Sequence, residues 1–141
     1  MNRNARALAD ALGAAIQARN AEQIRAIYAE GVKVWHANTN AAQTRDENAS
    51  FLARIFAITS EMSYRDVRRY DIDGGVVQQH RLTGKFKDGK SLPDLHACMV
   101  IKVADGKIVS IEEYFDSATF AEVWQRLAAT TADETRPMSQ E

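Results

Sequence analysis

Asp105-Gly106-Lys107-Ile108-Val109-Ser110-Ile111-Glu112-Glu113-Tyr114-Phe115-Asp116 packs a turn, a strand and a helix start into one short stretch. Asp-Gly favours a tight hairpin because glycine readily takes the positive φ such turns need. Ile108, Val109, Ile111, Tyr114 and Phe115 make the following run strand-like. Glu112 and Glu113 interrupt it. Neighbours on a strand face opposite sides, so one of the two glutamates points into the protein. A carboxylate aimed at a core is costly unless it has a partner or a chemical task. Glu113 shares its phase with Ile111 and Phe115 and is the inward one. Glu112 falls with Ser110 on the solvent side.

Upstream of this stretch the pattern is first helical and then extended. Leu8, Leu12, Ala15 and Ile16 recur at helical spacing within Arg3–Arg19. Asn20 and Gln23 form a capping box for a short helix over Ala21–Tyr28, with Gly31 as its stop. Val32–His36 reads as a strand and Asn38–Gln43 as a loop. Thr44 and Glu47 open a third helix carrying Phe51, Leu52, Ile55 and Phe56. Strands follow over Ser63–Asp73, Val76–Phe86, Leu95–Val103 and Ile108–Phe115, with turns at Gly74-Gly75 and Lys87–Lys90. Ser117 caps a last helix bearing Phe120, Val123, Trp124 and Leu127, and Thr130–Glu141 reads as a polar, frayed tail. Helices, then a meander of strands, then one helix indicate an α+β fold.

The chain has 141 residues, a single-domain length, and 45% apolar residues are enough for a core. Eighteen basic residues against nineteen acidic ones argue against a nucleic-acid binder, which needs a basic excess or stripe. Nothing in this balance calls for an anionic membrane surface. Cys98 is the only cysteine, so an internal disulfide and a cysteine-held zinc are both excluded. The N-terminus lacks the continuous apolar run of a signal peptide, and no run reaches membrane-spanning length. A reducing, cytoplasmic setting is the expectation.

The helical start, the Val34-Trp35-His36 strand and the ending Asp105-Gly106-Lys107-Ile108 … Glu113-Tyr114-Phe115-Asp116 resemble the SnoaL-like branch of the nuclear transport factor 2-like superfamily. That branch includes polyketide cyclases, ketosteroid isomerases and limonene epoxide hydrolases. The resemblance spans roughly Ala7–Trp124. It implies a cone: N-terminal helices packed in a strongly curved, mainly antiparallel sheet, a C-terminal helix, and a deep apolar pocket. One such domain over residues 1–129 and a tail over 130–141 are expected.

Strand phase and resemblance together nominate the site. Val34 and His36 share a face opposite Lys33, so His36 is inward. It resembles in position the aspartate base of ketosteroid isomerases, a carboxylate whose pKa is only modestly raised. A neutral imidazole accepts a proton near neutral pH. In Val76–Thr83 both phases are mixed: Val76, Gln78, His80 and Leu82 on one face; Val77, Gln79, Arg81 and Thr83 on the other. The resemblance to epoxide hydrolases, anchored on Gly75, brings Arg81 to that family's pocket arginine and Glu113 to one of its acids. The second acid falls on Thr83, a departure that counts against epoxide hydrolysis. Met99 and Leu12 stand near the oxyanion donors of ketosteroid isomerases, and neither can donate. His36, Arg81 and Glu113 are therefore the expected catalytic set. Tyr28, Val34, Phe51, Ile55, Leu95, Ala97, Met99 and Phe115 are expected walls, with Asn38, Gln79 and Thr83 as polar contacts. Asp116 is expected to cap the last helix. On this phasing His80, His96, Cys98, Trp35, Leu82 and Val100 mark the outer face, where a homodimer is expected.

The expected function is proton-transfer chemistry on a small hydrophobic molecule, of the isomerase, dehydratase, cyclase or hydrolase type. No cofactor and no metal are expected. The competing functions are a non-catalytic ligand-binding module and a dimeric interaction module. The first would use the same pocket.

Overall fold

A computed structural model describes residues 3–135. The order is α1 (Arg3–Ala18), α2 (Ala21–Ile27), β1 (Tyr28–His36), β2 (Ala41–Gln43), α3 (Arg45–Ile58), β3 (Thr59–Ile72), β4 (Gly75–Phe86), β5 (Leu95–Ala104), β6 (Lys107–Phe115) and α4 (Ala121–Thr135). The strands form one curled, unclosed sheet in the order β2-β1-β6-β5-β4-β3. β1 and β6 run parallel; every other neighbouring pair is antiparallel. The expected α+β fold with a C-terminal helix is what forms. No helix among the described residues is long and apolar enough to cross a membrane.

Local signals set the helix starts. Asn20 Oδ1 accepts from the Gln23 backbone N–H at 3.1 Å. Thr44 and Glu47 complete a reciprocal capping box, at 3.2 and 2.9 Å. α1 turns Ala5, Ala9, Leu12, Ala15 and Ile16 inward, all buried. The small alanines let it lie close on β3, β4 and β5.

Tertiary pairing moves several boundaries. α2 ends at Ile27, and Tyr28 already pairs with Ile108 of β6, so Gly31 lies inside β1 rather than at a helix end. The Asn38–Gln43 loop contains β2, which folds back on β1 through Val34↔Gln43 and His36↔Ala41. β3 begins at Thr59, because Thr59 and Glu61 pair with Phe86 and Lys85. Asp116, rather than Ser117, closes the turn before α4: its carboxylate accepts from Ala118 N–H and Thr119 Oγ1, both at 3.0 Å. α4 continues to Thr135, past the expected start of the tail at Thr130. Residues 136–141 lie outside the described residues.

Two further features position the site. The β3–β4 register shifts between Arg65 and Arg68, where Asp66 takes φ 55°. This bulge inverts the phase of β3. Tyr64 opposite Leu82 and Arg69 opposite Gln78 therefore face the same side, although they stand an odd number of positions apart in the chain. Gly84 is the second feature. A Cβ there would lie 2.1 Å from Glu61 O, a backbone atom with nowhere to go. Gly84→Ala is expected to cost about 1–3 kcal/mol or more by forcing β3 and β4 apart. Urea denaturation would show this as a lower midpoint at unchanged slope. An unaltered midpoint would mean that the two strands separate here without penalty.

Candidate active site

The inner face of the sheet and the inward faces of α1, α3 and α4 enclose a cavity of about 380 Å³. Its walls are mostly apolar. Ile16 comes from α1, Phe51, Leu52 and Ile55 from α3, and Met62, Leu82, Leu95, Ala97 and Phe115 from the sheet. Phe120 and Trp124 close one end, with their rings edge to face at 5.2 Å. Sparse polar groups in an apolar hollow are the usual composition of a small-molecule site.

His36 and Glu113 supply one polar group of the wall. They are direct partners across the parallel β1–β6 pair. His36 Nε2 lies 3.3 Å from Glu113 Oε1, with side chains 15% and 20% exposed. Phe51 and Phe115 present ring edges to His36, both at 6.3 Å. Glu113 is thus the inward glutamate and Glu112 the exposed one, as the strand phase requires. A carboxylate beside an imidazole in such a place can accept, hold and return a proton.

His80 and Tyr64 form the second polar group. His80 is 3% exposed, and its ring stacks on Tyr64 at 3.8 Å and 21°. Gln78, 1% exposed, places Nε2 2.9 Å from His80 Nδ1. Arg69 Nε–H donates to Gln78 Oε1 at 2.9 Å, and Arg69 Nη1–H donates to Asp10 Oδ1 of α1 at 2.6 Å. Burial lowers the His80 pKa to about 4; the Glu113 charge opposes this shift and Arg69 reinforces it. Burial, with the negative charge of Glu113, pushes the Tyr64 phenol well above its ordinary value, so it stays protonated.

Several expected site residues stand elsewhere. Arg81 does not reach the cavity. It lies on the outer face, paired with Asp66 at 3.0 Å and Asp94 at 2.9 Å, so no Arg81–Glu113 pair exists. Thr83 and Gln79 share that outward phase, and Thr83 Oγ1 is 3.2 Å from Ser63 Oγ. The inner phase of β4 is Val76, Gln78, His80 and Leu82. His80 and Leu82 are therefore inward, and neither marks the outer face. Tyr28, Val34 and Met99 are buried core outside the cavity wall. The Tyr28 hydroxyl donates to Asn48 Oδ1 at 2.8 Å, and Asn48 Nδ2 donates to Gln43 Oε1, which does line the cavity. Asn38, Phe51, Ile55, Leu95, Ala97 and Phe115 line it as expected.

Sequence reasoning misses Gln43, Tyr64 and His80. A signal for His80 exists: Gln78 and His80 share a phase with Val76 and Leu82. Polar residues in register with apolar ones mark a buried polar pair. Tyr64 has no such signal.

Solved structures share this architecture. PrhC from Penicillium brasilianum NBRC 6234 superposes with a TM-score of 0.75 at 15% identity, covering 93% of this chain and 92% of that one. A putative isomerase from Bacillus subtilis gives 0.73 at 13% identity, covering 86% and 93%. A putative polyketide cyclase from Xanthomonas campestris pv. campestris gives 0.71 at 22% identity, covering 86% and 98%. At these identities the likeness establishes the fold alone. No curated protein matches the chain. The SnoaL-like domain family matches residues 8–111, and the chain belongs to that family.

Proposed function

We propose that the cavity is the active site of an enzyme that moves a proton on a small hydrophobic organic molecule. The observation that carries this reading is the His36–Glu113 pair, 3.3 Å apart in the wall of an apolar cavity. A binding module would need the apolar walls; it would not need a proton acceptor and a second proton-holding group within reach of each other. Isomerisation, dehydration and cyclisation all begin with such a transfer. The names of two solved relatives, a putative isomerase and a putative polyketide cyclase, support the class. Arg81 has no part in this reading because of its place on the outer face.

The test is solvent-deuterium incorporation, followed by NMR, into a panel of hydrophobic cyclic carbonyl compounds. The wild-type protein is expected to exchange at least one of them faster than buffer. His36→Gln is expected to slow that exchange by tenfold or more while ligand affinity changes little, since proton transfer by a positioned group contributes about 10²–10⁴-fold. Exchange at the wild-type rate in His36→Gln would remove His36 from the mechanism. Ligand binding with no exchange across the panel would favour the binding module.

A further inference from the structure

Tyr28, Asn48 and Gln43 form a polar chain that runs from the core to the cavity wall, and the His36–Glu113 pair leaves it without a task. Tyr28 and Asn48 are 3% and 2% exposed, and neither lines the cavity. A buried polar chain is tolerated where its members satisfy one another. The direction of this one follows from its inner end. Burial, with the negative charge of Glu113, pushes the Tyr28 phenol well above its ordinary value, so it keeps its hydrogen. Among the described residues that hydrogen meets one acceptor, Asn48, at 2.8 Å. The Asn48 atom facing Tyr28 is therefore the amide oxygen, since the reverse would leave a buried phenol hydrogen without an acceptor. The Asn48 nitrogen then faces Gln43 and donates to its oxygen, also at 2.8 Å. With that oxygen engaged, Gln43 has its amide N–H groups left, and it stands in the cavity wall.

We infer that Gln43 is a specificity-determining residue: its Nε2–H donates to an acceptor oxygen of the ligand, and Asn48 and Tyr28 hold the amide in the orientation that offers this donor. The ligand is then a largely apolar molecule with an ether, ester or ketone oxygen set back from the atom that exchanges its proton. An ammonium group at that point is refused, because it brings donors to a donor. The position of the reacting atom rests on the reading of His36–Glu113 as the proton-transfer pair; the donor itself does not.

The sheet register sets the offset between the two ends of such a ligand. Val34 pairs with Gln43 and His36 with Ala41 across β1–β2, and His36 pairs with Glu113 across β1–β6. Val34, His36 and Gln43 therefore share the inner face. Gln43 stands one strand and two residues from His36. At about 4.8 Å per strand and about 3.4 Å per residue, their backbones are roughly 8 Å apart, and Glu113 is roughly 12 Å from Gln43. One small molecule spans that offset, with the proton-transfer pair at one end and Gln43 at the other. The chain behind Gln43 also explains why a glutamine works on so short an edge strand as β2. A free glutamine loses rotamer freedom when it binds; one already held by Asn48 has lost it on folding, so the new hydrogen bond is not offset by ordering. The Thr44 cap supplies the anchor: the Asn48 backbone N–H donates to Thr44 O at 2.9 Å, in the first turn of α3, which seats the side chain between Tyr28 of β1 and Gln43 of β2.

Two measurements on the full chain test the proposal, with fluorenone and fluorene as probes. The two have nearly the same shape, and only the ketone carries an acceptor oxygen. Fluorenone has no hydrogen on the carbons beside its carbonyl, so its binding is independent of proton transfer. The first measurement is the ratio of the two affinities. Gln43→Met, which keeps the length of the side chain and removes the donor, is expected to lower the fluorenone-to-fluorene ratio about fivefold or more, the worth of one neutral hydrogen bond, with fluorene affinity little changed. Tyr28→Phe lies outside the cavity wall and is expected to lower the same ratio part of the way, because both amides are then free to turn over. A merely structural role for Tyr28 would lower both affinities together. The second measurement needs no variant that must fold without the Gln43 amide. In NMR of the wild-type protein, the Gln43 side-chain amide proton is expected to move further downfield with fluorenone than with fluorene. Equal ratios in wild type and Gln43→Met, an amide proton that both probes move alike, or fluorenone that fails to bind the wild type would each overturn the proposal. A ratio lost in Gln43→Met and fully kept in Tyr28→Phe would overturn the relay. Absence of deuterium exchange with the ratio intact would instead refute the proton-transfer pair and leave Gln43 as the donor of a binding site.

Discussion

Glu113→Gln is expected to lower kcat for the exchange-active substrate by about 10²–10⁴-fold with little change in KM. The amide keeps the size of the carboxylate, so packing between β1 and β6 is retained. It cannot take a proton. In wild type the two groups lie 3.3 Å apart, close enough for a proton to pass between them. They therefore act as a unit, and their substitutions should not add. His36→Gln/Glu113→Gln is expected to be no slower than the worse single variant, as for catalytic groups that work together. The check is steady-state kinetics on all three variants beside wild type. Multiplicative losses would mean that the two residues serve separate steps. An unchanged kcat in Glu113→Gln would leave His36 to act alone.

The sequence carries the fold more fully than the site, for a physical reason. The caps at Asn20 and Thr44, the Asp105-Gly106 turn and the strand runs are local signals, and each is present in the folded chain. Glu113 is legible because burial alternates over the last part of β6, from Ile111 to Phe115, with Ile111 on the same face. β4 alternates in burial but not in hydrophobicity. Its outward face carries Val77 and its inward face carries Gln78 and His80, so hydrophobicity gives no phase. An inward Arg81 would hold its charge where Asp66 and Asp94 could not reach it. The structure places Arg81 beside both acids on the outer face. The other hidden element is the bulge at Asp66. A period-two reading of β3 cannot place Tyr64 and Arg69 on one side, and only the register shift does. Without it neither the stacked Tyr64 nor the Arg69–Gln78 contact can be foreseen. The inward set on β4 is stable because its members satisfy each other. A buried amide and a buried imidazole, joined to each other and to Arg69, avoid the penalty that each would incur alone.

That mutual satisfaction has a measurable limit, which is acid. His80 is expected to make stability fall by roughly 3 kcal/mol as pH drops from 6.5 to 4. Its folded pKa is lowered from 6.5 to about 4, first by burial. Between those values the unfolded chain binds a proton that the folded chain refuses. Unfolding therefore takes up protons, and stability rises with pH across the window. Above 6.5 the imidazole is neutral in both states and the dependence ends. The surrounding charges modulate the size of the effect. Arg69 of β3 reinforces the lowering, whereas the Glu113 carboxylate of β6 opposes it. Tyr64 stays protonated and contributes no titration here. Urea midpoints at pH 7 and pH 4.5 measure the slope, with His80→Leu as the comparison. The variant leaves the Gln78 amide without its acceptor and should be less stable at every pH, so the difference between the two pH values is the quantity that counts. His80→Leu is expected to lose most of the acid sensitivity in this window. Equal losses in wild type and variant would assign the acid sensitivity to the carboxylates and would mean that His80 protonates as easily in the fold as outside it.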